Sequence, residues 1–120
     1  MNKKILLVED DQDMAFLLLL ELKEAGFDAV HAEDGSAALD ALAEQNFDGI
    51  LSDLYMPNID GLQLIEALEA KSRDINTIII SGSTDKKVAL KLKEKGVKHI
   101  FLKPLTDEDI NQIFNLLTCG

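Results

Sequence analysis

At 120 residues the chain has room for one domain spanning 1–120, and at 47% hydrophobic and 28% charged it can bury a core without staples. Its only cysteine, Cys119, excludes an internal disulfide and a thiolate metal centre and suits a reducing cytoplasm. The net charge of −10 argues against affinity for nucleic acid, whose phosphates it would repel.

The chain begins with Lys3-Lys4 and an apolar run, Ile5-Leu6-Leu7-Val8, which Glu9-Asp10-Asp11 stops too soon for an export signal or a membrane span. That run predicts a strand buried on both faces. Residues 12–25 follow as a helix, with Gly26 as its C-terminal stop. Asp28 to Ala32 is a weaker strand suited to a sheet edge, and 35–45 a helix packing through Ala37, Ala38, Leu39, Ala41 and Leu42. Gly49 to Ser52 is the third strand, 61–72 a helix, Thr77 to Ile80 the fourth strand and 84–95 a helix stopped by Gly96. Lys98 to Leu102 and a helix over 106–117 complete the pattern.

Five β-α units without linker or repeat imply a parallel sheet with helices on both faces, since parallel neighbours need right-handed crossovers. They fit the doubly wound, flavodoxin-like order 2-1-3-4-5. In such sheets ligands bind beyond the carboxyl ends of the strands, between strands 1 and 3. The residues there form a coherent set: Glu9-Asp10-Asp11 after strand 1, Asp53 after strand 3, Ser81-Gly82 after strand 4 and Lys103-Pro104 after strand 5.

The acidic excess lies in the same half of the chain: residues 1–60 hold 3 Lys and Arg against 14 Asp and Glu, whereas 61–120 hold 9 against 8. Glu9, Asp10 and Asp53 against Lys103 leave about −2, a repulsion that a divalent cation would relieve. An all-oxygen donor set favours a hard ion, and Mg²⁺ is the usual one beside phosphate. Asp53 is then a candidate nucleophile for phosphoryl transfer, with Lys103 and the Ser81 hydroxyl covering the transferred oxygens.

Taken together, Ile5 to Asp11, Asp53-Leu54-Tyr55-Met56-Pro57 with Asp60-Gly61, Ser81-Gly82 and Lys103-Pro104 resemble the receiver domain of response regulators, from residue 3 to about 117. The resemblance implies Asp53 as the phosphorylated residue. It implies a Mg²⁺ site of Glu9, Asp10, Asp53 and the backbone carbonyl of Tyr55, with Glu9 and Asp10 as the acidic pair. It gives Ser81 and Lys103 contacts to the phosphoryl group, Asp11 at most a supporting place, and the Lys103-Pro104 bond a cis form. It places Tyr55 and Ser83 where the family tunes the lifetime of the phosphoryl group. The implied partners are a histidine kinase or phosphotransfer protein and a downstream output domain or protein on the face of helix 4, strand 5 and helix 5. No membrane or direct nucleic-acid contact is implied. The family's usual aromatic three residues before the lysine is here Ile100, and Phe101 beside it points to the opposite side of the sheet.

Two other functions fit parts of the pattern. A Mg-dependent phosphohydrolase would also use an Asp53 nucleophile, but it needs an acid-base, and Tyr55 stands where an aspartate two residues on would serve. A degenerate receiver acting only as a binding module would not need Asp53, Lys103 and the acidic pair intact. The chain is either a stand-alone regulator or the first domain of a longer one. Ser81 has a plain alternative as a helix N-cap, and Asp60-Gly61 reads as a turn and cap. His31 and His99 are expected on strands 2 and 5, away from the cleft. Leu17 to Leu20 cover about 300° of a helix, so not all four face the core; an exposed one would lie beside the surface that docks a kinase in receivers. Lys86, Lys87, Lys91, Lys93 and Lys95 make helix 4 either a solvated face or a site for an acidic partner.

Overall fold

A computed structural model describes residues 2–56, 59–71, 75–82 and 85–119. Ten elements alternate: β1 (Lys4–Val8), α1 (Gln12–Glu24), β2 (Asp28–Ala32), α2 (Gly35–Glu44), β3 (Gly49–Asp53), α3 (Gly61–Ala70), β4 (Asn76–Ser81), α4 (Lys86–Glu94), β5 (His99–Leu102) and α5 (Asp107–Cys119). The five strands are all parallel, in the expected order β2-β1-β3-β4-β5. Pro57, Ser83 and the ends foreseen at 72 and 84 for the third and fourth helices lie outside the described residues.

Strand alternation sorts the core into two faces. Ile5, Leu7, Leu51, Ile78 and Ile80 pack on one side with Ala15, Leu18 and Leu22 of α1 and Ile113 and Leu117 of α5. Leu6, Val8 and Ile50 pack on the other with α2 and α3, and Ile79 meets Leu92 of α4 there. The central strands therefore carry apolar residues on both faces, whereas edge strand β2 carries Asp28 and His31. Phe101 packs with the α1–α5 side and Ile100 with the α4 side, as alternation required.

The helix ends are set by local hydrogen bonds. The Asp11 carboxylate accepts from the N–H groups of Asp13 and Met14, and Asp60 and Gln63 form a reciprocal capping box at α3. Thr106 and Asp109 do the same for α5, at 3.0 Å in both directions. At the start of α4 the plain alternative for Ser81, a helix N-cap, does not hold. Asp85, not Ser81, is the N-cap, accepting from Lys87 N–H, and Ser81 is the last residue of β4. Gly26 adopts φ +94° beyond α1, a left-handed conformation that suits glycine.

Of the four consecutive leucines in α1, Leu18 is 2% exposed and Leu17 57%. Replacing Leu18 by Ala opens a core cavity and should cost about 2–5 kcal/mol in urea unfolding. The neighbouring Leu17→Ala should stay within about 0.5 kcal/mol. Equal costs at the two positions would contradict this packing.

Candidate functional site

Among the described residues four polar or charged ones are buried, Glu9, Ser52, Asp53 and Ser81, and all four stand at the carboxyl ends of β1, β3 and β4. Buried polar groups this localised are held for a reason other than packing. The doubly wound topology supplies the place. The chain crosses from β2 over β1 to reach β3, and α1 after β1 and α3 after β3 pack on opposite faces of the sheet, the switch point at which ligands bind in doubly wound folds.

Asp53, 7% exposed, closes β3. Its Oδ1 accepts the Leu54 N–H at 2.9 Å and its Oδ2 lies 3.0 Å from Lys103 Nζ. The same ammonium reaches Glu9 Oε1 at 3.2 Å, and Glu9 Oε2 accepts the Asp11 N–H at 3.3 Å. Lys103 arrives from β5 across the end of β4, where its backbone N–H donates to the Ser81 carbonyl at 2.9 Å. The Lys103-Pro104 peptide is cis. The Leu54 N–H continues the ladder to the Ile80 carbonyl at 2.9 Å. Close packing fixes the far side: a Cβ on Gly61 would stand 2.9 Å from the Asp53 carbonyl oxygen, so α3 begins against the site only with glycine there.

Glu9, Asp10 and Asp53 each offer a carboxylate oxygen, all within 4.8 Å of one another. Asp10 is exposed while the other two are buried. Burial, then the charge of Asp53, pushes the Glu9 carboxyl up to about 7, against the Asp11 N–H and Lys103, which pull it down. Burial by itself would lower Lys103, but its hydrogen bond and charge contact with Asp53, followed by those with Glu9, raise it above the ordinary lysine value. One ammonium therefore offsets three carboxylates incompletely. An all-oxygen, under-neutralised cluster of this size fits a hard divalent cation.

The structure brings together the expected Glu9, Asp10, Asp53 and Lys103, with buried Ser81 at the adjoining strand end. Tyr55 follows on the loop after β3, its side chain exposed. Asp11 and Asp60 prove to be caps. One expectation is corrected. His31 is not away from the cleft: its Nε2 lies 2.7 Å from the Glu9 backbone carbonyl, because β2 runs beside β1 to the same end. The histidine's place on an edge strand was readable, but a side-chain to main-chain contact between strands leaves no spacing signal. His99 begins β5, at the opposite end of the strand from the cleft.

Residues 5–115 match the family described as response regulator receiver domain. The chain belongs to the receiver-domain family of two-component response regulators. It is 36% identical over 80 residues to the response regulator receiver protein CpdR of Brucella abortus, covering 67% of each chain. It is 31% identical over 110 residues to the DNA-binding response regulator MtrA of Mycolicibacterium smegmatis, covering 92% of this chain and 48% of that protein, so it spans about half of that relative's length. The crystal structure of a response regulator receiver protein from Pseudomonas putida superposes with a TM-score of 0.92 at 30% identity, over 100% of this chain and 98% of that one. Receivers are phosphorelay signalling domains rather than turnover enzymes. Among the described residues no helix is long and apolar enough to cross a membrane.

The raised Glu9 gives the metal-free receiver a pH signature. Below about pH 4.5 Glu9 is protonated folded or unfolded; between there and about pH 7 the unfolded chain releases the proton while the folded one keeps it. Stability therefore falls as pH rises through that window in EDTA. Thermal melts should show this fall, and Glu9→Gln should reduce it. A Glu9→Gln profile identical to wild type would contradict the assignment.

Proposed function

We propose that this receiver accepts a phosphoryl group on Asp53 from a phosphohistidine of a histidine kinase or phosphotransfer protein, in a Mg²⁺-dependent step that switches partner binding. The observation that carries the reading is the buried Asp53 carboxylate held by Leu54 N–H and Lys103 in the crevice between β1 and β3. In the transfer an Asp53 oxygen attacks phosphorus as the P–N bond breaks. The imidazole leaves and takes up a proton, and Asp53 becomes an acyl phosphate.

The chain's own residues do three things. The Leu54 N–H holds one Asp53 oxygen and so fixes the carboxylate plane. Lys103, a compact charge on a flexible stem, moves its contact from Asp53 Oδ2 to a phosphoryl oxygen, and the Ser81 hydroxyl takes another. Glu9, Asp10 and Asp53, whose carboxylate oxygens converge, would hold a Mg²⁺ ion together with the Tyr55 carbonyl, and the ion would supply positive charge to the transfer.

Output on this reading leaves by the α4–β5–α5 face. There a cavity of about 420 Å³ lies between α4 and β5, with Leu90, Val97 and Ile100 in its lining and Lys86, Lys93 and Lys98 around them. Four of the five lysines of the fourth helical segment are exposed, which suits an acidic partner. Lys95 instead pairs with Glu69 at 3.4 Å and Glu66 at 4.0 Å.

Intact mass after incubation with acetyl phosphate tests the site and the metal together. A single phosphoryl adduct is expected with Mg²⁺, none in EDTA, and none on Asp53→Asn. An adduct surviving Asp53→Asn would move the acceptor elsewhere. No adduct on the wild type would make a module that only binds partners the better reading.

A further inference from the structure

The hydrogen-bonded register between β1 and β2 ends at Val8 and Ala32, yet the chain beyond it is held. The Glu9 N–H donates to the Ala32 carbonyl at 3.1 Å, and the Glu9 carbonyl lies 2.7 Å from His31 Nε2. A carbonyl oxygen only accepts, so the ring nitrogen carries the hydrogen and donates. Edge strand β2 thus adds a side-chain rung to the ladder one residue past its end. Both main-chain polar groups of Glu9 are then engaged by β2, while its carboxylate is engaged by Lys103 and the Asp11 N–H.

The Glu9 carbonyl belongs to the planar peptide whose other half is the Asp10 nitrogen. Fixing that carbonyl fixes the direction in which the chain enters Asp10. Asp10 depends on this more than its partners do. Glu9 and Asp53 are buried and bonded to Lys103, whereas Asp10 is exposed at the rim. Its carboxylate still comes within 4.8 Å of both.

We propose that His31 is a positioning residue for the acidic loop: its ring N–H holds the Glu9 carbonyl and keeps the Asp10 carboxylate aimed where the oxygens of Glu9 and Asp53 converge. The proposal rests on the cation-binding reading of that cluster given above. Its consequence is a tighter cation site in the folded protein, over and above any packing that the half-buried ring provides at the sheet edge.

The test is Mg²⁺ titration by calorimetry of the wild-type chain, His31→Phe (ring kept, donor lost), His31→Leu and His31→Gln, whose amide N–H reaches about as far as Nε2. Urea unfolding in EDTA runs alongside. Loss of one hydrogen bond's worth of positioning should weaken Mg²⁺ about fivefold in His31→Phe and His31→Leu, and His31→Gln should recover most of it. Using two donor-free variants keeps the comparison open if one of them folds poorly. Unchanged Mg²⁺ affinity in the donor-free variants, with or without lower stability in EDTA, would reduce His31 to edge packing and overturn the proposal alone. Failure of His31→Gln to bind better than His31→Leu would overturn it too. A wild type that binds no Mg²⁺ would remove the cation reading and this proposal with it.

Discussion

The ammonium of Lys103, set between Asp53 Oδ2 at 3.0 Å and Glu9 Oε1 at 3.2 Å, is the interaction on which the rest of the site depends. Two carboxylates are buried at the ends of β1 and β3, and burying a charge without compensation is among the costliest things a fold can do. One lysine offsets that cost only in part, as the rise of Glu9 to about 7 shows. The arrangement is tolerable because it sits where the sheet opens, at the rim of an otherwise apolar interior. A carboxylate pair in the middle of β1 or β3 would have no water or ion within reach.

The frame delivers these groups with little left to chance. β1 and β3 are neighbours, and β4 separates β3 from β5, so Lys103 has to reach across the end of β4. Its backbone is anchored there by the Ser81 carbonyl, just as Leu54 is anchored by Ile80. The helices that follow β1 and β3 start from side-chain caps, Asp11 and Asp60, within the same loops that carry the site. Packing at Gly61 brings α3 against the backbone of Asp53 and Leu54. Rigid strand ends and short capped loops hold charged groups in place more closely than long loops would.

Much of this was legible in the sequence because the strands are short apolar runs between charged or glycine stops, and each site residue directly follows one. Glu9, Asp53, Ser81 and Lys103 could be read simply as what comes after a strand. Other features had no comparable signal. Ser81 and Asp85 are both good caps on paper. The choice of Asp85 at α4 turns on which backbone N–H groups come within reach, which composition does not encode. In α1 the leucine run is only partly buried, as its spread around the helix requires, while Phe16 beside it is 62% exposed, which no spacing in the sequence signals. The His31 contact joins strands through a ring and a carbonyl, and strand periodicity says only which face a side chain takes.

The same charge balance bears on how a change at Asp53 would travel. A phosphoryl group there adds negative charge beside Glu9 and competes for the one ammonium that both carboxylates share. The Lys103 ammonium can turn toward it on its flexible stem, but any shift of the Lys103 backbone is shared with β5, because its N–H is tied to the Ser81 carbonyl and its chain runs directly back into that strand. Among the described residues β5 is the shortest strand, four residues long, and pairs with β4 alone. It is therefore the strand whose position is least constrained by the sheet and most directly coupled to the lysine. Its two central residues face opposite layers, Ile100 toward α4 and Phe101 toward the α1–α5 side. A displacement of β5 would consequently be felt in both layers even with isoleucine in place of an aromatic, since what moves is the backbone that carries the side chain. For a two-state switch the requirement is only that the two arrangements of β5 differ in their fit to a partner. The lysine-flanked cavity between α4 and β5 lies where that difference would be exposed.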